Sequence, residues 1–201
     1  MKELFLWDDD LGIGYYPVDE TENVYDRAYF KKYITYEDTP IGKGINDFRV
    51  EFTNTYCKGK VLDIGIGCGT FVGSRSDTYG YDVNPTGIEW LEMRDKFVDP
   101  YLDDITSFAG LTFFDSFEHI KNPRSILRQI KNQHVIMSVP IFKDREHALA
   151  SKHFRPDEHY HYFTHTGLIT YMHGLGFSFC WVSDNETKLG RDEIYTYAFF
   201  K

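Results

Sequence analysis

A glycine-rich stretch early in the chain has the composition of a ligand-binding turn. It reads D-x-G-x-G-x-G over residues 63–69 and directly follows an apolar segment. Glycines let a strand turn sharply into a helix and approach a ligand without an obstructing Cβ. The spacing departs from the G-x-G-x-x-G of dinucleotide sites, because Thr70 stands three positions after Gly67.

The acid that opens this stretch, Asp63, narrows the choice of ligand. It can stabilise the turn or meet a cationic group, and S-adenosylmethionine (SAM) carries both an ammonium and a sulfonium. A nicotinamide dinucleotide instead presents a pyrophosphate to the helix N-terminus. The motif therefore favours SAM, and an NAD-dependent oxidoreductase is the disfavoured alternative.

A second acid, Asp82, ends the next apolar segment, 17 residues after Gly65. A carboxylate there can accept both hydroxyls of a ribose, and the spacing is close to the roughly 20 residues expected. The alternative is an acidic helix cap. We favour the ribose role, since Asn84 or Pro85 already starts the helix.

Strand-like and helix-like segments alternate around these acids. Thr39 and Pro40 predict a helix start. Apolar patterns predict further helices that begin at 84–85 and cover 123–130 and 164–175, and strands at 60–64, 79–82, 96–98, 111–115, 134–139, 177–182 and 194–200. Such alternation indicates a parallel sheet with helices on both faces, and the last two strands should pair.

Length and composition predict one soluble domain. The chain has 201 residues, is 42% hydrophobic, and has no apolar run near the roughly 18 residues of a membrane span. Three widely spaced cysteines and no cleavage pattern favour a cytoplasmic protein. A net charge of −9 argues against a general nucleic-acid surface. We expect residues 1–38 to form an N-terminal cap and 141–163 an irregular substrate lid.

The chain resembles the class I SAM-dependent methyltransferases, particularly small-molecule enzymes of the ubiquinone-biosynthesis type. The resemblance rests on the blocks VLDIGIGCGTF, YGYDVNP, LTFFDSFEHIKNPRSIL and VIMSVPIF, with EHYHYFTHTGLITYMHGLGF as a looser fifth. It implies a Rossmann-like, seven-stranded, mostly parallel sheet in the order 3-2-1-4-5-7-6, whose last strand is antiparallel, with helices on both faces.

The same resemblance assigns site residues. The first block would cradle the methionine part of SAM, Asp82 would bind the ribose, and Val83 would lie against the adenine. Asp99 is the candidate for the adenine amino group, and Arg49 for the SAM carboxylate. Asp115 and His119 would line the sulfonium and the substrate mouth. The members of the first block with this role are Asp63, Gly65, Ile66, Gly67 and Gly69.

Methyl transfer needs a positioned acceptor and gains about 10²–10⁴-fold from a general base. His119 is the best candidate base, with Asp115 beside it, although a histidine at a helix start is also a common scaffold residue. Five histidines lie at 147, 153, 159, 161 and 165, and with Glu118 and His119 they suggest a metal. Their spacing fits a polar-aromatic lid better, so we predict no metal site.

Two further patterns bear on the acceptor. Tyr25, Tyr29 and Tyr33 share one helical face, which we expect to pack on the core rather than to form a substrate platform. Residues 141–155 carry four basic and two acidic side chains, so 4 − 2 gives +2, and Lys188 and Arg191 add to this. The excess could attract an anionic substrate, or it could be solvated loop charge.

These patterns together predict a methyltransferase that moves a methyl group from SAM to an oxygen or nitrogen of a small acceptor, either anionic or neutral. Two alternatives stay open at this point. One is a SAM-binding module without catalysis that serves a partner protein. The other is a methyltransferase that acts on RNA or protein. We expect no membrane partner, and the sequence does not predict an oligomeric state.

Overall fold

The computed structural model describes residues 4–18 and 25–201. The strands in this part of the chain are β1 (Leu6–Asp8), β2 (Ile13–Tyr15), β3 (Val61–Ile64), β4 (Thr78–Tyr81), β5 (Gly110–Phe114), β6 (His134–Phe142), β7 (His161–Thr164), β8 (Ser178–Ser183) and β9 (Ile194–Phe200). The helices are α1 (Arg27–Glu37), α2 (Pro40–Tyr56), α3 (Thr70–Ser74), α4 (Pro85–Glu92), α5 (Arg124–Leu127), α6 (Arg145–Ala150), α7 (His165–His173) and α8 (Asn185–Lys188). A 3-10 helix spans Phe117–His119.

The central sheet has the order β4-β3-β5-β6-β9-β8 and is flanked by helices. Strands β4, β3, β5 and β6 are parallel, whereas β9 is antiparallel to both β6 and β8. This confirms the predicted mostly parallel α/β class. The order agrees approximately with the predicted 3-2-1-4-5-7-6, because the expected third strand is much reduced.

The segment expected to form that third strand, residues 96–98, makes only one parallel bridge, from Phe97 to Gly80. Gly80 donates its N–H to the carbonyl of Lys96 and accepts from Val98. Asp95, just before the bridge, has a left-handed φ of 53°, and Pro100 follows it without an N–H. The ladder is therefore short at both ends.

A three-stranded extension lies beyond the carboxyl end of β6, and the sequence analysis missed it. The last residues of β6 pair with β7, which pairs with β2, which pairs with β1. The prediction of an irregular stretch at 141–163 is wrong in this respect, since it contains α6 and β7. Asp144 caps α6 by accepting the His147 N–H at 2.8 Å.

The strands that hold the site are buried on both faces. Every residue of β3 and β5 is buried, as expected for central parallel strands. The predicted start of α2 is confirmed, because Thr39 accepts the Gly42 N–H at 3.0 Å and Pro40 occupies the first turn. Within residues 4–18 and 25–201, no helix has both the length and the apolar character to cross a membrane.

Candidate functional site

A cavity of about 750 Å³ opens at the carboxyl ends of β3, β4 and β5. Its wall includes residues 63–68 of the glycine-rich turn, Asp82 and Val83 after β4, and Asp115 and Ser116 after β5. In open parallel sheets the carboxyl edge is where ligands bind. The cavity thus joins the two motifs that the sequence analysis placed at this edge.

The glycine-rich turn depends on two backbone positions that a side chain would disturb. Gly65 has a φ of +81°, and a Cβ there would come within 2.5 Å of the Ser116 Cβ. Gly67 has a φ of +58°, and a Cβ there would meet no heavy atom within 4 Å. At Gly67 the backbone therefore faces open space in the cavity. Ile66 also lines the cavity, whereas Gly69 lies outside its wall and caps α3.

Asp63 is a buried carboxylate at the end of β3, with 2% of its surface exposed. Its Oδ1 accepts the Thr112 hydroxyl at 2.6 Å. Burial raises the pKa of Asp63 to about 7, although the Thr112 bond and the Arg49 charge oppose this shift. A cation brought into the cavity would therefore find a carboxylate that is costly to leave unpaired.

Asp82 and Val83 lie at the cavity wall, and the helix-cap alternative for Asp82 is wrong. Asn84 caps α4 by accepting the Thr86 N–H, while Asp82 accepts the N–H of Asn84 at 2.8 Å. Burial raises the pKa of Asp82, and nearby backbone N–H groups, including that of Gly67, oppose the shift. Val83 is 60% exposed, so it offers an apolar surface to a ligand.

Asp99, the candidate for the adenine amino group, is not among the residues that line the cavity. Its Oδ1 accepts the Tyr101 N–H at 2.8 Å and its own N–H donates to Asp103. Tyr101, two residues on, does line the cavity. The role of Asp99 stays a prediction. The turn that Asp99 forms places the ring of Tyr101 at the cavity wall.

Two arginines and two acids form a largely buried network at the cavity wall. Glu186 is fully buried, whereas the side chains of Arg49, Arg191 and Asp115 are partly exposed. Arg49 donates to Glu186 at 2.8 and 2.9 Å and to Asp115 at 2.6 Å. Arg191 donates to Asp115 at 2.6 and 2.9 Å and to Glu186 at 2.7 Å. Ser138 also donates to Glu186 at 2.7 Å. Glu186 was not predicted from the sequence, because Ser138 and Arg49, which join it to the network, lie 48 and 137 residues away, and the nearby Arg191 alone gives no distinctive pattern.

This network limits what Asp115 and Arg49 can do. Burial alone would raise the pKa of Asp115, but Arg191 and Arg49 hold it well below its usual range. Both carboxylate oxygens of Asp115 accept from arginines, so it is a poor proton acceptor. The Arg49 charge is already matched by two carboxylates, with which a SAM carboxylate would have to compete.

His119 lies at the cavity wall, and its Nδ1 is 3.5 Å from the Tyr25 hydroxyl. Burial and the Arg155 charge lower its pKa to about 4. The imidazole is therefore neutral at pH 7 and offers a lone pair. Its ring lies edge-on to His159, with 4.5 Å between ring centroids.

The other histidines do not gather into one polar lid. His161 contacts the Ile120 carbonyl at 3.0 Å, His165 the Tyr197 hydroxyl at 2.9 Å, and His153 the Asp192 carbonyl at 2.9 Å. Of residues 141–163, Tyr160 is the one that lines the cavity. The lid function of this segment and the cap function of residues 1–38, which include undescribed positions, stay predictions.

The predicted excess of basic loop charge is largely neutralised. Lys152 pairs with Asp192, Arg155 with Glu158, and Lys188 with Asp184. Of the basic residues named for those loops, Arg191 reaches the cavity, and it is bound to acids there. For most of these basic residues, the structure favours the alternative of solvated loop charge over attraction of a substrate.

The tyrosine face borders the cavity and does not pack on the core as we expected. Tyr25, Tyr29, Tyr33 and Tyr36 all line it, and Phe30 is the buried residue of α1. Tyr29 packs between the other rings, with centroids 5.1 Å from Tyr25 and 5.0 Å from Tyr33. The spacing of four residues correctly predicted that the tyrosines share one helical face. It did not reveal that this face borders the cavity and not the core.

Comparison with known families agrees with this architecture. A family model described as a methyltransferase domain matches residues 33–180. The chain belongs to this methyltransferase family. The match includes the glycine-rich turn, Asp82 and the 3-10 helix of this methyltransferase. No curated protein matches the chain.

Solved structures share the fold of the methyltransferase at low sequence identity. A SAM-dependent methyltransferase from Thermotoga maritima, described as a possible histamine N-methyltransferase, is 15% identical with a TM-score of 0.64, covering 87% of this chain and 96% of that one. Magnesium protoporphyrin IX methyltransferase from Synechocystis, solved with S-adenosylhomocysteine, is 12% identical with a TM-score of 0.62, covering 91% and 100%. A SAM-dependent methyltransferase from Archaeoglobus fulgidus is 18% identical with a TM-score of 0.59, and the match covers 84% of this chain and 99% of that one.

Family and fold together identify the protein as a SAM-dependent methyltransferase, and the cavity suits that cofactor. Gly67 presents unobstructed backbone to the open space, and Asp63 is a buried acid whose ionised form needs a cation. Asp82 and the exposed Val83 lie at the same cavity wall. Open backbone, two buried carboxyl groups and an apolar side chain fit a ligand that carries a cationic group, hydroxyls and an apolar ring.

The buried network predicts an unequal response to two changes in α8. Glu186→Ala should destabilise the fold by about 3 kcal/mol, the lower end of the cost of breaking a buried ion pair, because it leaves two largely buried guanidinium groups to share Asp115. Lys188→Ala, which removes an exposed pair with Asp184, should cost less than about 1 kcal/mol. Urea unfolding measures both, and equal costs would contradict the structural importance of the network.

Proposed function

We propose that the enzyme methylates an oxygen or nitrogen of a small acceptor that carries a negative charge. The observation that carries this is that one cavity has a half suited to the cofactor and a second half of different chemistry. The cofactor half consists of the turn, Asp63 and Asp82. The second half is bordered by the tyrosine face and His119.

In the cofactor half, three residues would hold SAM. The carboxylate of Asp63 would bind the ammonium, Asp82 would bind the ribose hydroxyls, and Val83 would lie against the adenine. When bound, SAM supplies an electrophilic methyl group on its sulfonium. Gly65 lets the turn pack closely against Ser116, and Gly67 leaves open space at the backbone, where the amino-acid tail would lie.

In the second half, the tyrosine rings of α1 form an aromatic wall with hydroxyls, suited to a flat organic acceptor. Tyr29 and Tyr33 hydroxyls lie 3.2 Å apart, and burial raises the pKa of Tyr29 above its usual range, so it stays a hydrogen-bond donor. The neutral His119 offers its lone pair to the same space. Such a wall would exclude water and fix the acceptor, and positioning of this kind can lower the barrier to group transfer by about 7–11 kcal/mol.

The charge of the second half supports an anionic acceptor. Asp63 and Asp82 are assigned to the cofactor, and Arg49, Arg191 and Asp115 belong to the buried network. The charged residues that remain in the cavity wall are Lys32, Lys121 and Glu37. Of these, Lys32 lies at the tyrosine face, with its Nζ 5.9 Å from the centroid of the Tyr33 ring, where its charge would favour a carboxylate or phosphate on the acceptor.

A matched pair of lysines on α1 tests this proposal. With methyl-labelled SAM and a set of small phenols and amines, transfer should be fastest for acceptors that bear a carboxylate or phosphate. Lys32→Ala should raise KM for these acceptors about two- to fivefold, the size of a partly exposed charge contact. Lys31→Ala, whose side chain does not line the cavity, should leave KM unchanged. Equal KM values for the two variants, or a preference for neutral acceptors, would contradict it.

The Asp63 assignment predicts a pH dependence of cofactor affinity. Because burial raises its pKa to about 7, Asp63 is mostly protonated at pH 5.5 and half ionised at pH 7. Since only the carboxylate binds the ammonium, SAM affinity should rise about tenfold from about pH 5.5 to about pH 7. Calorimetry measures this for the wild type and for Asp63→Asn. The variant should bind weakly with a flat profile, and an equal slope in both would exclude Asp63 as the titrating group.

A further inference from the structure

Three side chains with metal-binding chemistry converge where the 3-10 helix meets the segment before β7. They are Glu118, His119 and His159, and one donor atom from each lies within 4.8 Å of the others. His119 faces the cavity, while Glu118 and His159 are buried behind it, with 2% and 3% of their surface exposed. The cluster thus borders the acceptor half.

Two polar atoms of this cluster lack hydrogen bonds. Glu118 Oε2 and His159 Nδ1 are both buried, and neither has a hydrogen-bond partner within residues 4–18 and 25–201. Buried carboxylates and imidazoles are normally satisfied by a hydrogen bond, a counter-ion or a metal. The described residues hold four other buried side-chain atoms without a hydrogen bond, but these two belong to one cluster of metal-ligating residues, which points to a shared ligand.

The backbone holds the cluster together independently of its side chains. The Tyr160 N–H donates to the Glu118 carbonyl at 2.8 Å, which ties the two segments at this point. The 3-10 helix is fixed at its start by Ser116, whose hydroxyl donates to the Ile64 carbonyl. The three donors are therefore positioned by secondary structure, as a ligand site requires.

We propose that Glu118, His119 and His159 bind a divalent transition-metal ion of the zinc type at the edge of the acceptor half. Two imidazoles and one carboxylate are a donor set that catalytic zinc sites use, with the fourth position left open. Bonds of about 2.0–2.2 Å place tetrahedral ligands about 3.4 Å apart, so small side-chain rotations would close the site. The prediction of no metal site rested on histidine spacing in sequence, which does not reveal that His159 meets the 3-10 helix.

This inference rests on the proposed function, because the ion would act on the same acceptor. The lone pair of His119 would then serve the ion instead of a proton. An acceptor hydroxyl or amine at the open position would lose its proton to water more readily, since a divalent cation lowers the pKa of a bound group. Asp115, bound to two arginines, would not compete for the ion.

Metal binding is tested on the full chain after treatment with a chelator. Calorimetry with Zn²⁺ and the absorption spectrum of added Co²⁺ should show one site per chain with tetrahedral character. Glu118→Gln and His159→Asn should each weaken Zn²⁺ binding at least about 100-fold. His161→Asn should leave it unchanged, because His161 is bonded to backbone carbonyls and lies outside the cluster. SAM affinity is measured in parallel as a control for folding, and it should be the same in all three variants.

Several outcomes would overturn the site. They are no stoichiometric binding of Zn²⁺ or Co²⁺ by the wild type, binding that survives in either Glu118→Gln or His159→Asn, and equal loss in His161→Asn. If a variant fails to bind SAM, and is therefore misfolded, the site is tested on the wild type by NMR. Added Co²⁺ should shift the signals of the His119 and His159 rings before those of the other histidines. Shifts that begin elsewhere would contradict the site.

The same measurements separate this inference from the proposed function. If the ion binds at the cluster but no acceptor is methylated, the proposed function fails and the site stands. If transfer proceeds at the same rate with chelator present and no ion binds, the metal site fails and the proposed function stands. A rate that falls with chelator and returns with Zn²⁺ supports both.

Discussion

The meeting of β3 and β4 at the carboxyl edge of the sheet is the constraint on which the site depends. Their parallel register pairs Ile64 with Tyr81, so the glycine-rich turn and Asp82 leave the sheet side by side. The backbone N–H groups of the turn then stabilise the Asp82 carboxylate despite its burial. Two motifs that are apart in the sequence, and whose residues we assign to the cofactor, are thereby brought to one wall of the cavity.

The three acids near this edge of the sheet lie in two different electrostatic environments. Asp63 and Asp82, which we assign to the cofactor, are buried, and no cationic side chain in the described part of the chain forms an ion pair with them. Burial raises the pKa of both carboxyl groups. Asp115, only a strand away, has two arginines and a lowered pKa. Asp63 and Asp82 are therefore available to a ligand. Asp115 is not, because its ion pairs link the end of β5 to the segment around α8.

Much of this could be predicted from the sequence, because local signals fix local structure. The capping pair Thr39 and Pro40, the glycine-rich turn and the buried strands β3 and β5 all depend on neighbouring residues. What could not be predicted depends on partners far apart in the chain. Glu186 meets Arg49 across 137 residues, and His159 meets His119 only because β7 extends the sheet. The tyrosine face was located by its period, yet its environment is set by tertiary packing.

The most direct test is a crystal structure of the chain grown or soaked with S-adenosylhomocysteine. We predict density with the amino group at Asp63, the amino-acid tail along Gly65 and Gly67, and the ribose hydroxyls on Asp82. An empty turn at saturating ligand, or density for the nucleoside in another part of the molecule, would contradict the account.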